Sequence, residues 1–177
     1  MRSSPQYATR TGSLHRARFS ADRRYRYWLE SKLGDGGDGV CMFLMLNPST
    51  ADEVRSDPTV TRCKGFARSW GYGSLWVCNI FALRSTRPDA LIASPDPSGP
   101  ENDRHILEYA RKADRVVCAW GNHGLHRDRG ERVLDMLEGD GLSGRMSHLG
   151  LTRKDQPRHP LYLKASTKPL RFRAARP

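Results

Sequence analysis

The spacing of apolar and polar positions changes several times along the chain, and each change marks an element. Residues 40–46 (Val-Cys-Met-Phe-Leu-Met-Leu) run without a polar break, the pattern of a strand covered on both faces of a sheet. Upstream, residues 25–32 are rich in aromatic, β-prone side chains. The glycine-rich stretch 34–39 between the two runs reads as a turn, so a hairpin with these two runs as its arms is expected. After Pro58 the period lengthens. Val60, Cys63, Phe66, Ala67 and Trp70 recur at steps of three and four, one apolar face of a helix that Asp57 or Ser56 can cap and Gly71 can end. A strand over 75–80 follows. Residues 87–100, with prolines at 88, 95, 97 and 100, read as a loop over the sheet. A helix over 101–113, a strand over 116–120, a helix over 128–137 and a short strand over 146–151 complete the pattern.

Strands alternating with helices predict a three-layer α/β/α fold with a mostly parallel central sheet, preceded by the N-terminal β-hairpin. One domain over 22–165 is expected, with a flexible basic arm at 1–21 and a basic tail at 166–177. Ligands of open α/β sheets bind beyond the carboxyl ends of the strands. Four polar segments follow strands here: Asn47-Pro48-Ser49-Thr50, Asn79, Gly121-Asn122-His123 and, after a longer loop, His159-Pro160. They are expected to converge on one cleft.

Composition narrows the class. With 177 residues the chain suits one domain, and 4 Trp, 6 Tyr and 5 Phe supply apolar surface enough to exclude a disordered chain. Thirty Lys and Arg against nineteen Asp and Glu leave a net charge of +11. That balance favours a polyanion such as nucleic acid, or a phosphorylated nucleoside-like ligand, although it also serves solubility. The first eighteen residues hold no apolar signal core, and no stretch approaches the ~18 apolar residues of a membrane span, so a cytoplasmic protein without membrane contact is expected. Cys41, Cys63, Cys78 and Cys118 show no CxxC spacing and read as reduced core thiols; neither a metal nor an organic cofactor is expected.

The candidate chemistry centres on residues 47–50. Asn47 ends a strand before a proline, and its amide offers both a donor and an acceptor to a water, a sugar or a base edge, or else closes its own turn. Ser49 and Thr50 add hydroxyls. Asp52, Glu53 and Asp57 are the nearest carboxylates able to orient a water, with Asp57 equally suited to capping the helix. Asn79, Phe81 and Arg84 offer in turn an amide for an edge, a ring for stacking or for the core, and a cation for phosphate. Trp120, Asn122 and His123 close the third strand, and His159 stands between Arg158 and Pro160. Residues 34–39 match GxGxxG by letter but lead into a strand-like apolar run instead of opening a helix, and no P-loop or GxSxG run exists, which argues against a nicotinamide enzyme, a P-loop nucleotidase and a serine hydrolase of the elbow type.

Leu44-Met45-Leu46-Asn47-Pro48-Ser49-Thr50-Ala51-Asp52, then Asp57-Pro58-Thr59, Gly65-Phe66-Ala67 and Asn79-Ile80-Phe81-Ala82-Leu83-Arg84, resemble the bacterial domain-of-unknown-function family 1643. Pro100-Glu101-Asn102-Asp103, Trp120-Gly121 and the run from Pro157 through Arg158-His159-Pro160 to Leu163 continue the likeness over about residues 22–163. More distantly, the order of motifs resembles the uracil-DNA glycosylase superfamily. That resemblance implies a uracil-DNA-glycosylase-like fold, a water held by Asn47, a base read by Asn79 and a leaving base stabilised by His159. The activity it implies is N-glycosidic hydrolysis on a base in nucleic acid or a nucleotide. The alternatives are a non-catalytic nucleic-acid-binding or damage-sensing module and a small-molecule nucleoside-type hydrolase.

Overall fold

A computed structural model describes residues 6–8, 14–34, 36–49 and 57–172. Among them eight strands form a single sheet: β1 (Gln6–Ala8), β2 (Leu14–Phe19), β3 (Arg26–Lys32), β4 (Val40–Met45), β5 (Ser74–Asn79), β6 (Arg115–Cys118), β7 (Met146–His148) and β8 (Leu170–Arg171), in the order β1-β2-β3-β5-β4-β6-β7-β8. The four central strands, β5-β4-β6-β7, are parallel. β1, β2 and β3 add to the β5 edge and β8 to the β7 edge, all antiparallel. The result is a three-layer α/β architecture on a mixed sheet with an N-terminal hairpin.

Helix α1 (Pro58–Ser69) covers one face of the sheet, burying Val60, Cys63, Phe66 and Ala67 against Cys41, Phe43, Leu75 and Val77. The opposite face carries the short α2 (Pro88–Ala93), α3 (Asn102–Lys112) and α4 (Arg129–Gly139), through Leu91, Ile106, Tyr109, Ala110, Val133 and Leu137. β4 is fully apolar because both its faces are covered: Cys41, Phe43 and Met45 point to α1, Met42 and Leu44 to α3 and α4. All four cysteines are free and buried, and burial pushes their thiols up, away from reactive thiolate.

Several expectations change. The sheet is mixed and not mostly parallel, because the strands added at both edges pair antiparallel, and within 87–100, expected as a loop, Pro88 opens the short α2. The runs on either side of the glycine-rich stretch are β3 and β4, but they do not pair: β5 lies between them. The glycines allow a close crossing instead, since a Cβ on Gly36 or Gly73 would overlap backbone of the facing segment. The hairpin is formed by β2 and β3, so ordered structure begins inside the expected arm; Ala17 is in the core and His15 is buried. The polar look of β2 comes from its alternation, with Arg16 and Arg18 on the other face. At the other end, Leu170 and Arg171 pair with β7 inside the expected tail.

Candidate functional site

The parallel strands set the site. Because β4 leads to α1 on one face and β6 leads to α4 on the other, a crevice opens at the carboxyl ends where the chain diverges. A pocket of about 370 Å³ lies there on the α1 side, lined by Arg26, Met45, Leu46, Asn47, Ser49, Asp57, Pro58, Thr59, Val60, Val77, Asn79, Ser85, Thr86 and His159. Its floor is apolar, from Met45, Val60 and Val77, and its polar groups come from six separated stretches of chain. Such a volume falls within the range of small-molecule sites.

Asn79 ends β5 opposite Met45. Strand alternation places it on the same face as Val77, toward α1, and it is 1% exposed. Its backbone carbonyl accepts from Asn102 Nδ2 at 2.8 Å, which pins the strand end. The side-chain Nδ2 of Asn79 is buried with no partner among the described residues. An unsatisfied buried donor costs about 1–3 kcal/mol, a cost that an acceptor on a bound ligand would remove.

Asn47 is held differently. Its Nδ2 donates to the carbonyls of Ser85 at 2.9 Å, Pro48 at 3.2 Å and Leu83 at 3.3 Å. The amide therefore closes its own turn and ties the 83–86 loop to the pocket, and its Oδ1 has no donor among the described residues. Asp57 caps α1, with Oδ1 accepting from Thr59 N at 2.8 Å and Val60 N at 3.2 Å, and the residue lines the pocket.

His159 caps the one-turn helix Pro160–Tyr162, its Nδ1 accepting from Leu161 N at 3.3 Å. An accepting Nδ1 puts the ring proton on Nε2. Burial holds its pKa below the ordinary histidine value, against a smaller opposite pull from Asp57. At neutral pH it is an uncharged imidazole with one N–H to donate.

Asn47, Pro48, Ser49, Asn79 and His159 thus come together, with Pro48 buried behind the lining residues. Four others do not. Phe81 is fully buried on the α3 and α4 face, its ring 5.8 Å from that of His126. Trp120 lies on that face too, clasped by Gly124 and Gly130 and bonded to Gln156 Oε1 at 3.1 Å; the chain leaving β6 turns away from α1 and takes this ring with it. Asn122 is an exposed partner of Thr152 Oγ1 at 2.6 Å, and His123 is exposed on the same turn. Arg84 stands beside the pocket rather than in it: its guanidinium donates to Arg23 O at 2.8 Å and lies over the Phe19 ring. Thr50 and Asp52 lie outside the described residues, as does Glu53.

Arg26, Ser85 and Thr86 join the site without having been singled out in the sequence. Arg26, 2% exposed, sits in an aromatic β-rich run, and a charge inside such a run was the available signal. Ser85 and Thr86 reach the pocket through the Asn47 bonds, which spacing does not reveal. Among the described residues no group of three His, Cys, Asp or Glu side chains is placed to hold a metal ion, and no helix is long and apolar enough to cross a membrane.

Fold and site together define a three-layer α/β domain with a polar pocket at the carboxyl ends of its parallel strands, roofed by a helix N-terminus. Residues 26–161 match the family model described as "Protein of unknown function (DUF1643)". The chain belongs to that family. No curated protein matches the sequence.

Proposed function

We propose that the pocket receives a heterocyclic base and that the protein is an N-glycosidic hydrolase acting on a base in nucleic acid or a nucleotide. The observation that carries this reading is the buried amide of the pocket-lining Asn79, whose Nδ2 has no partner among the described residues. A flat ring with an acceptor on its edge would satisfy that donor, and a ring lacking one would leave it stranded. The resemblance to the uracil-DNA glycosylase superfamily supports the same assignment. The parallel order β5-β4-β6-β7 and the succession of Asn47, Asn79 and His159 at one pocket are consistent with it.

In this mechanism a water bound at Asn47 Oδ1 attacks the sugar carbon. The bond from that carbon to the ring nitrogen breaks, and its electron pair leaves with the base. His159 donates its Nε2 hydrogen bond to the charge growing on the ring, a stabilisation that is strong in a site sheltered from water. The proton released by the water passes to the Asp57 carboxylate at the pocket wall, or on to solvent. Asp52 remains a second candidate for that role from its sequence position.

The test is base release, measured by chromatography on a panel of modified single- and double-stranded substrates. Wild type should release one class of base. His159→Ala should slow release by about 10²-fold or more, the scale for a positioned catalytic group, and Asn79→Ala should blunt discrimination between bases. Wild-type protein that releases no base from any substrate, yet binds one of them through Asn79, would establish the second reading, a binding or damage-sensing module. One observation favours that second reading: Asn47 Nδ2 is engaged by three backbone carbonyls, so this amide has a structural role whether or not a reaction takes place.

A further inference from the structure

Tyr162 is 90% exposed, far more than Leu170 at 54%, the next most exposed large hydrophobic side chain among the described residues. Exposure alone would mean little on a loose loop, but this segment is anchored on both sides of the ring. His159 is the cap of the turn and lines the pocket, and Pro160 is buried. Beyond the ring, Leu163 N donates back to Pro160 O at 3.2 Å. The Leu163 side chain packs into the core beneath α1, and its carbonyl accepts from the Arg62 guanidinium. The ring is therefore displayed from a fixed base, three residues from a pocket-lining histidine. Its setting is cationic: residues 151–172 carry Arg153, Lys154, Arg158, Lys164, Lys168 and Arg171 against the single acid Asp155, and Arg158 and Lys164, on either side of the turn, are exposed.

From this we infer that Tyr162 is a stacking platform for a base next to the one held in the pocket, and that the partner is a single-stranded nucleic acid. The inference rests on the proposed base-binding role of the pocket and narrows it to a polymer. A rigid exposed ring flanked by cations offers the two things an unpaired strand needs, a π-face for a base and positive charge for its phosphates. In a duplex the base faces are already stacked on their neighbours, so the platform selects strands with free faces. A free nucleoside in the pocket would have nothing to place on the ring.

The experiment is fluorescence anisotropy at low salt with the full chain. The probes are a labelled single-stranded DNA 12-mer, the RNA of the same sequence, a hairpin duplex and a labelled mononucleotide. Wild type should bind single strands more tightly than the hairpin, and the DNA and RNA arms report which polymer is preferred. Tyr162→Ala should weaken single-strand binding about 5- to 100-fold, the effect of losing one stacked base, while Tyr162→Phe keeps it and mononucleotide binding is unchanged. Circular dichroism of Tyr162→Ala should match wild type, because the side chain is outside the core. Single-strand binding unaltered in Tyr162→Ala, or tighter wild-type binding to the duplex, would overturn the inference. Binding of the mononucleotide but no oligonucleotide would also overturn it and leave the pocket reading intact. Oligonucleotide binding that depends on Tyr162 but not on Asn79 would remove the pocket reading and overturn the inference with it, since the ring would then have no neighbouring base in the pocket.

Discussion

Acidification from pH 7 to pH 4 is expected to destabilise the protein by about 2 kcal/mol through one buried residue, His15. Its ring lies between β3 and α1, with Nδ1 2.7 Å from Ser31 Oγ and Nε2 3.4 Å from Lys64 Nζ. Lysine can only donate, so Nε2 accepts and the ring proton resides on Nδ1, facing the serine oxygen. A second proton would turn the acceptor into a donor pointed at a cation, inside the fold. Burial, and after it the Lys64 charge, lower the His15 pKa from 6.5 to about 4. Between these values the unfolded chain binds the proton and the native protein does not. The contribution is therefore whole above about pH 6.5 and lost as the pH falls through about 4. A drop from 6.5 to about 4 bounds the loss at ~3 kcal/mol, and solvent screening on the half-buried Lys64 side reduces it to about 2 kcal/mol. Urea unfolding followed by tryptophan fluorescence between pH 4 and 8, on wild type and His15→Gln, isolates the effect. Glutamine cannot titrate, and His105, His148 and His159, whose pKa values burial also lowers, are common to both proteins and cancel in the difference. Parallel stability curves for the two proteins would refute the reasoning.

Two further outcomes follow from the site and its supports. Asp57→Asn should keep the α1 cap, which asparagine serves as well, but should lower the His159 pKa further, because the Asp57 charge is what opposes the effect of burial; an NMR titration showing the pKa unchanged or raised would contradict this. Gly124→Ala should destabilise the protein by about 1–3 kcal/mol, since the added methyl would overlap the Trp120 ring, and a thermal melt indistinguishable from wild type would show that the ring can move aside.

The alternation of strands and helices, the doubly covered β4 and the capped, amphipathic α1 could be read from the sequence because each depends on local periodicity and on short-range capping chemistry. The same logic brought Asn47, Asn79 and His159 to one place, since the carboxyl ends of parallel strands share an edge whatever the loop lengths. Strand neighbours could not be read in this way. The glycine-rich stretch signals a turn equally well for a hairpin and for a crossing beside an inserted strand, and only the placement of β5 between β3 and β4 decided between them. Sheet faces were decided there too. Phe81 lies two residues beyond the end of β5 and Trp120 two beyond the end of β6, and the path of the chain after each strand puts both in the core with α3 and α4, on the far side of the sheet from the pocket. Arg26, Ser85 and Thr86 reach the pocket from stretches far from Asn47 in sequence, through pairing and hydrogen bonds that form only when the whole sheet is assembled. Local pattern determined what the elements are and which of their ends are polar; long-range pairing, invisible to any window of sequence, determined which of those ends meet.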